Sequence, residues 1–181
     1  AAEITDLQRK IALLADAAQR SIDWALLEKL CGRPAPAAIP QNFPATRVRI
    51  AVARDPAFCF TYAETLEALR ENGAELCFFS PLTDAALPEN SGGLYLPGGY
   101  PELYAAQLAA NAPMRRAIKN AVESGLPTVA ECGGFLYLGQ SLEGTDGQNW
   151  PMAGVLPGEG IRVGRLVRFG YATLTAKADS M

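Results

Sequence analysis

The 181-residue sequence contains no histidine. Histidine is the side chain that most often serves as a general base and as a ligand of transition metals, so both roles would need other groups here. The sequence has four cysteines, and their spacing matches no zinc-binding pattern. We therefore expect no metal site, and we expect the thiols to stay reduced. The cysteines are Cys31, Cys59, Cys77 and Cys132.

An excess of positive charge and long apolar runs are also missing. Sixteen Lys and Arg residues stand against 19 Asp and Glu residues, giving a net charge of -3, and no basic block is present to follow a phosphate backbone. The apolar runs are interrupted well before the roughly 18 residues that a membrane span requires, and the N-terminus has no signal-peptide pattern. These absences predict a cytoplasmic protein that binds neither nucleic acid nor a membrane.

The first part of the chain has helical periodicity and is followed by a proline-rich stretch. Apolar positions predict an amphipathic helix over residues 3–20 that covers a core, and Asp23 is expected to cap a second short helix ending before Gly32. Prolines disfavour both helix and sheet in the segment 32–45, which we interpret as a linker between a helical tail, 1–31, and a domain, 46–181. The apolar positions of the first helix are Ile4, Leu7, Ile11 and Leu14.

After the linker, short apolar runs rich in β-formers alternate with helical stretches. This alternation predicts an α/β fold with a doubly wound, mostly parallel sheet and helices on both faces. Ligands of such folds gather at the carboxyl ends of the strands. Residues 142–160 are predicted to be irregular, and 161–175 to form a further strand. The main strands are expected at 48–53, 76–79, 93–96 and 127–130, and helices at 61–72, 101–110, 113–124 and from Phe135.

Cys132 stands where a predicted strand turns abruptly into a helix, and Ala130, Gly133 and Gly134 surround it. This is the pattern of a nucleophile elbow, in which small neighbours permit a strained turn. A position at a helix N-terminus would also favour the thiolate. The alternative is a small buried cysteine in a glycine-rich turn, and we expect the other three cysteines to be packing residues.

A second glycine cluster, Gly98 and Gly99, ends the neighbouring strand. The N–H groups of Gly99 and Gly133 would together form a hole for an oxyanion, although glycines also serve simply to make a turn. Glu102 lies in the first turn of the next helix, where it would either bind an ammonium group or only complement the helix dipole.

Three arginines near the end of the sequence would either bind an acidic substrate or face solvent on a strand. They are Arg162, Arg165 and Arg168.

Four stretches resemble the glutamine amidotransferase domain of cobyrinic acid a,c-diamide synthases. They are 51–60 (AVARDPAFCF), 79–82 (FSPL), 96–103 (LPGGYPEL) and 130–134 (AECGG), and the resemblance spans about residues 46–175. The string around the cysteine occurs in outline in many triad-type amidotransferases, whereas RDPAF and the GGYPEL string are more particular to this family.

The resemblance implies a class I glutamine amidotransferase-like, flavodoxin-like fold in which Cys132 hydrolyses glutamine. It implies an oxyanion hole at Gly99 and Gly133, with Gly98, Tyr100 and Glu102 contacting glutamine. The ammonia would pass to a synthetase domain of the same enzyme, which amidates the a and c carboxylates of cobyrinic or hydrogenobyrinic acid with ATP and Mg²⁺ in cobalamin biosynthesis. Residues 1–31 resemble the last helices of that synthetase domain, but no phosphate-binding G-x-x-x-x-G-K-[ST] pattern occurs in this sequence.

The sequence departs from the family in one respect. The catalytic histidine of the family is expected beyond the strand at 161–175, and no histidine is present. We therefore expect a fragment that lacks part of the synthetase domain and the catalytic base, and that is inactive alone. Three alternatives remain at this point: the equivalent domain of a nickel-sirohydrochlorin diamide synthase, a non-catalytic module that binds glutamine or a partner, and a thiol hydrolase of a related cysteine-elbow fold.

Overall fold

The computed structural model of the protein describes residues 6–32, 47–164, 173 and 175. They divide into two compact units, one within residues 1–42 and one within residues 43–181. The predicted linker, 32–45, lies almost entirely outside the described residues, so its boundaries stay a prediction. In neither described stretch is a helix long and apolar enough to cross a membrane.

The first unit contains two helices, α1 (Leu7–Ser21) and α2 (Trp24–Cys31). Asp23 caps α2 as predicted, because its carboxylate accepts a hydrogen bond from the Leu26 N–H at 3.0 Å. Neither helix has a buried residue, and Leu14 on the apolar side of α1 is 69% exposed. The expectation that the first helix covers a core is therefore wrong for the part of the chain that the structure describes.

The second unit is built on a four-stranded parallel sheet with the strand order β2-β1-β3-β4. All four predicted strands are confirmed, and helices lie between β1 and β2 and between β3 and β4, whereas residues 80–92 between β2 and β3 form turns, so the predicted α/β fold is confirmed. The strands are β1 (Val48–Ala53), β2 (Ala74–Phe79), β3 (Gly93–Leu96) and β4 (Thr128–Ala130). The helices are α3 (Ala63–Glu71), a 3₁₀ turn (Pro101–Tyr104), α4 (Ala105–Ala110), α5 (Ala112–Glu123) and α6 (Gly133–Tyr137).

Alternate residues of the central strands β1 and β3 pack on opposite faces of the sheet, because side chains along a strand point alternately to its two sides. On one face, Ala53 and Leu96 belong to a large core with residues of α4, α5 and α6. On the other face, Val52 and Tyr95 pack with Leu66 of α3. Helices therefore cover both faces, and apart from Arg49 the residues of β1 and β3 are apolar because these strands pack on both sides.

A second, smaller sheet follows α6 and was not predicted. It contains β5 (Ser141–Glu143), β6 (Asn149–Pro151) and β7 (Glu159–Gly160), with β5 in the middle. Strands of two or three residues are too short to show an alternating pattern, so the expectation of irregular structure over 142–160 is wrong in part. Residues 161–164, 173 and 175 are not in a strand, and the other positions of the strand predicted at 161–175, including Arg165 and Arg168, lie outside the described residues.

Candidate active site

The predicted nucleophile, Cys132, occupies the turn between β4 and α6. Its backbone angles are φ 46° and ψ -109°, in a region that residues other than glycine rarely adopt. Such a conformation costs on the order of 1–3 kcal/mol and persists only where the surroundings enforce it. The Cys132 side chain is exposed, so its thiol is accessible, and the reading of this residue as a buried packing cysteine is wrong.

Gly134 explains how the surroundings enforce this turn. A Cβ atom at Gly134 would lie 2.1 Å from the Leu96 carbonyl oxygen at the end of β3. The same carbonyl accepts a hydrogen bond from the Glu131 N–H at 3.0 Å, and the Gly134 N–H donates to the Glu131 carbonyl at 2.7 Å. The start of α6 therefore lies directly against β3, at a distance that only glycine permits.

The second glycine cluster lies beside Cys132, as predicted from the parallel strands. A Cβ atom at Gly98 would lie 3.5 Å from the Cys132 Cβ, and one at Gly133 would lie 3.1 Å from the Gly99 nitrogen. Neither the Gly99 N–H nor the Gly133 N–H donates a hydrogen bond to any of the residues that the structure describes. The structure thus brings a thiol and two N–H groups without an acceptor among the described residues into one small region.

The residues after the glycine turn lie beside the same site. Tyr100 is 40% exposed, and the centroid of its ring lies 5.2 Å from the centroid of the Phe60 ring. Pro101 is close to the elbow, because a Cβ atom at Gly133 would lie 2.8 Å from the Pro101 Cδ. Glu102 follows in the first turn of the 3₁₀ segment, half-buried, and its carboxylate forms no hydrogen bond or ion pair within the described stretches.

Phe60 is a residue of the site that the sequence did not single out. Its N–H donates to the Gly98 carbonyl at 3.0 Å, and its side chain would contact a Cβ atom at Gly98 at 3.3 Å. A pattern of sequence spacing cannot reveal this pairing, since 38 residues separate the two positions along the chain. The only available signal was that Phe60 ends the first of the four family-like stretches.

Glu131, next to the nucleophile, is directed elsewhere. Its carboxylate accepts a hydrogen bond from the Tyr95 hydroxyl at 3.2 Å, and Tyr95 belongs to the core on the α3 side of the sheet. Burial and the nearby negative charge of Glu131 together raise the pKa of Tyr95. The Glu131 carboxylate therefore bonds to Tyr95 and not to the Cys132 thiol.

The other three cysteines are not the buried packing residues that the sequence predicted. Cys31 and Cys59 are exposed, and Cys77 is half-buried with its sulfur accepting a hydrogen bond from the Arg49 guanidinium at 3.1 Å. Within residues 6–32 and 47–164, no three potential metal ligands come together.

The backbone N–H of Arg162 donates to the Glu143 carboxylate at 2.8 Å, and Arg162 is exposed.

A parallel sheet with a cysteine at a strained strand-to-helix turn, next to a glycine turn, defines an α/β protein of the cysteine-elbow class. The model of the CobB/CobQ-like glutamine amidotransferase domain matches residues 49–178. The chain belongs to this family, and its fold is class I glutamine amidotransferase-like, as the sequence predicted.

Several curated proteins are similar to this chain along most of its length. The cobyrinate a,c-diamide synthase of Dehalococcoides mccartyi strain 195 is 44% identical over 149 residues, which cover 82% of this chain and 32% of that protein. The hydrogenobyrinate a,c-diamide synthase of Pseudomonas aeruginosa is 46% identical over 159 residues, covering 87% and 36%. The cobyrinate a,c-diamide synthase of Synechocystis is 40% identical over 176 residues, covering 93% and 36%. The chain thus spans about a third of the length of these relatives.

Proposed function

We propose that this chain carries the glutaminase activity of a corrinoid a,c-diamide synthase, with Cys132 as the nucleophile. The observation that carries the proposal is the exposed thiol at a strained turn, directly beside the Gly98-Gly99 turn, in a chain of the CobB/CobQ-like family. A cysteine that merely filled space would need neither the strain nor the exposure.

In the proposed reaction, the Cys132 sulfur attacks the carboxamide carbon of glutamine. A C–S bond forms, and the carboxamide oxygen takes up the negative charge, which the N–H groups of Gly99 and Gly133 stabilise by hydrogen bonds. The intermediate collapses with release of ammonia after its nitrogen gains a proton. Water then hydrolyses the glutamyl thioester to glutamate and restores the thiol.

Proton transfer in this scheme needs a group from outside the printed sequence. The sequence contains no histidine, and the short helix α6, with five residues, supplies only a small dipole at Cys132. We therefore propose that a histidine of the complete enzyme accepts the thiol proton and delivers it to the leaving ammonia, a role typically worth 10²–10⁴-fold in rate.

Gly98, Tyr100 and Glu102 are the proposed contacts for the rest of the glutamine molecule. The half-buried Glu102 carboxylate has no other partner within the described residues, so it is available for the α-ammonium group of glutamine. The exposed Tyr100 ring, held against Phe60, would form an apolar wall for the aliphatic part of the substrate.

The proposed destination of the ammonia is an ATP-dependent synthetase domain of the same enzyme. The names of the relatives specify cobyrinate and hydrogenobyrinate, which favours a corrinoid acceptor over nickel-sirohydrochlorin. ATP and Mg²⁺ would be bound outside this sequence, since it contains no phosphate-binding loop pattern.

The test uses the complete synthase and compares two nitrogen sources. Cys132→Ala should abolish amidation of cobyrinate with glutamine, and should leave amidation with ammonium chloride at high pH largely intact, because free ammonia needs no thiol. Cys59→Ala is the matched control, since Cys59 is also exposed but is not at the elbow, and both activities should persist. Retention of glutamine-dependent amidation by Cys132→Ala would contradict the proposal.

A further inference from the structure

The Asp55 carboxylate, just after β1, is surrounded by four hydrogen-bond donors and forms no salt bridge within the described residues. One oxygen accepts from the N–H groups of Ala57 at 2.8 Å and Phe58 at 3.1 Å. The other accepts from the Ser80 hydroxyl at 2.8 Å and from the Leu82 N–H at 3.0 Å. Asp55 therefore fixes the loop after β1 and joins it to the loop after β2.

The segment that Asp55 fixes contacts the glycine turn, Gly98–Tyr100, through its backbone. The Ala57 carbonyl accepts a hydrogen bond from the Tyr100 N–H at 2.9 Å, and the Phe60 N–H donates to the Gly98 carbonyl at 3.0 Å. A Cβ atom at Gly99 would lie 2.1 Å from the Ala57 carbonyl oxygen. The position of the Gly98–Tyr100 backbone is therefore set by the backbone around Ala57.

The same segment also contacts the elbow helix. The rings of Phe58 and Tyr137, the last residue of α6, are 5.3 Å apart, and both side chains are completely buried. Burial raises the pKa of Tyr137, the positive charge of Arg115 opposes this, and the negative charge of Asp55 adds a smaller upward shift. The loop that Asp55 organises thus packs against both halves of the candidate site, the glycine turn and the helix that follows Cys132.

We propose that Asp55 is a positioning residue for glutamine hydrolysis, acting through Ala57 and Phe58 to hold the Gly99 N–H where the oxyanion forms. The inference rests on the proposed function. A donor aimed at a developing oxyanion acts in the transition state and contributes little to ground-state binding, so its displacement lowers kcat more than it raises KM. A misplacement of about 1 Å costs on the order of 10²-fold in rate.

Two substitutions at Asp55 separate its contacts. Asp55→Ala removes all four acceptor interactions, so the loop no longer has a fixed position. Asp55→Asn retains one acceptor oxygen for Ala57 and Phe58, while its amide group donates to the Ser80 hydroxyl and faces the Leu82 N–H. The asparagine variant should therefore keep much of the link to the glycine turn. Asp84→Ala is the matched control, because the exposed Asp84 carboxylate accepts from the Ser80 N–H in the same loop and has no bond to residues 55–58.

The experiment measures amidation by the complete synthase with glutamine and with ammonium chloride. For Asp55→Ala we expect kcat with glutamine to fall by about 10²-fold, with KM for glutamine within a few-fold of the wild type. Ammonium-dependent amidation should be unchanged, which shows that the proposed synthetase domain is intact, and the nearly unchanged KM shows that the glutaminase site is still folded and binds glutamine. Asp55→Asn should lose less activity than Asp55→Ala, and Asp84→Ala should match the wild type.

Cys132→Ala is measured in parallel so that the two hypotheses can fail separately. If Cys132→Ala loses glutamine-dependent amidation while both Asp55 variants keep the wild-type kcat, the positioning role is wrong and the proposed function stands. If the Asp55 variants lose both activities equally, or if only KM changes, the positioning role is also wrong. If Asp55→Ala does not fold, Asp55→Asn tests the positioning role alone. The role then requires that Asp55→Asn has a reduced kcat with glutamine and an intact ammonium-dependent activity.

Discussion

Replacing Gly134 by alanine tests the packing that forces the elbow into its strained turn. The added methyl group would lie 2.1 Å from the Leu96 carbonyl oxygen and 2.6 Å from the Leu96 carbonyl carbon. Because these are backbone atoms, no change of rotamer relieves the overlap, and α6 must move by roughly 1 Å away from β3, a kind of overpacking that typically costs 1–3 kcal/mol. The movement also weakens the hydrogen bond from the Glu131 N–H to the same carbonyl, worth about 1 kcal/mol.

One effect opposes this destabilisation, since alanine is favoured over glycine inside a helix by about 1 kcal/mol. We therefore predict that Gly134→Ala lowers the free energy of unfolding by about 1–3 kcal/mol, measured by urea denaturation. Gly92→Ala is the control, because a Cβ atom there meets its nearest neighbour at an ordinary 3.6 Å, and its effect should stay within about 0.5 kcal/mol. Equal urea midpoints for Gly134→Ala and the wild type would refute the argument that glycine is required at this position.

Four further predictions concern other parts of the chain. Tyr137→Phe removes a buried hydroxyl with no hydrogen-bond partner among the described residues, so unfolding experiments should find it at least as stable as the wild type. Burial raises the Tyr137 pKa, so above pH 10 the unfolded state loses the hydroxyl proton more readily than the folded state, and the free energy of unfolding of the wild type falls. The stability advantage of Tyr137→Phe should therefore grow above pH 10, and a constant difference would contradict this. The hydrogen bond from the Gln148 N–H lowers the Asp146 pKa, so Asp146→Asn should be less stable than the wild type at pH 7. The difference in the free energy of unfolding should disappear as the pH falls below about 4, and a difference that persists in acid would refute the stabilising role of the Asp146 carboxylate. In the complete synthase, brief iodoacetamide treatment should label Cys132 before Cys31, Cys59 and Cys77, because the proposed histidine accepts the Cys132 thiol proton, and faster labelling of the other three would count against Cys132 as the nucleophile. The purified 181-residue chain should hydrolyse glutamine only negligibly, and turnover at rates typical of enzymes would contradict the need for an external base.

The parts of the fold that could be predicted from the sequence are those with a strong local signal. Strand β3 and the last three residues of β1 are buried, so both strands appear as apolar runs, interrupted only by Arg49 near the start of β1. The elbow is visible because its sharp turn requires small residues in consecutive positions around Cys132. The helix predicted at 113–124 is confirmed as α5, whose apolar residues Met114 and Ile118 are buried one turn apart.

The parts that could not be predicted depend on contacts between distant segments. The sequence gives no sign that the Ala57 carbonyl meets the Tyr100 N–H, or that Phe60 pairs with Gly98, because those bonds exist only after the sheet has assembled. The three-residue strand β5 has its partners on β6 and β7, and its own sequence is too short to indicate a strand. The exposure of Cys59 was likewise missed, since composition favours burial for any single cysteine.

The central claim is that Cys132 forms a covalent bond with the carboxamide carbon of glutamine. The most direct measurement is to treat the complete synthase with a chloromethyl ketone analogue of glutamine and to map the modified residue by peptide mass spectrometry. The account predicts a single adduct on Cys132 that forms more slowly in the presence of L-glutamine and at the same rate in the presence of D-glutamine. An adduct on another residue, or labelling of Cys132 that L-glutamine does not slow, would contradict the account.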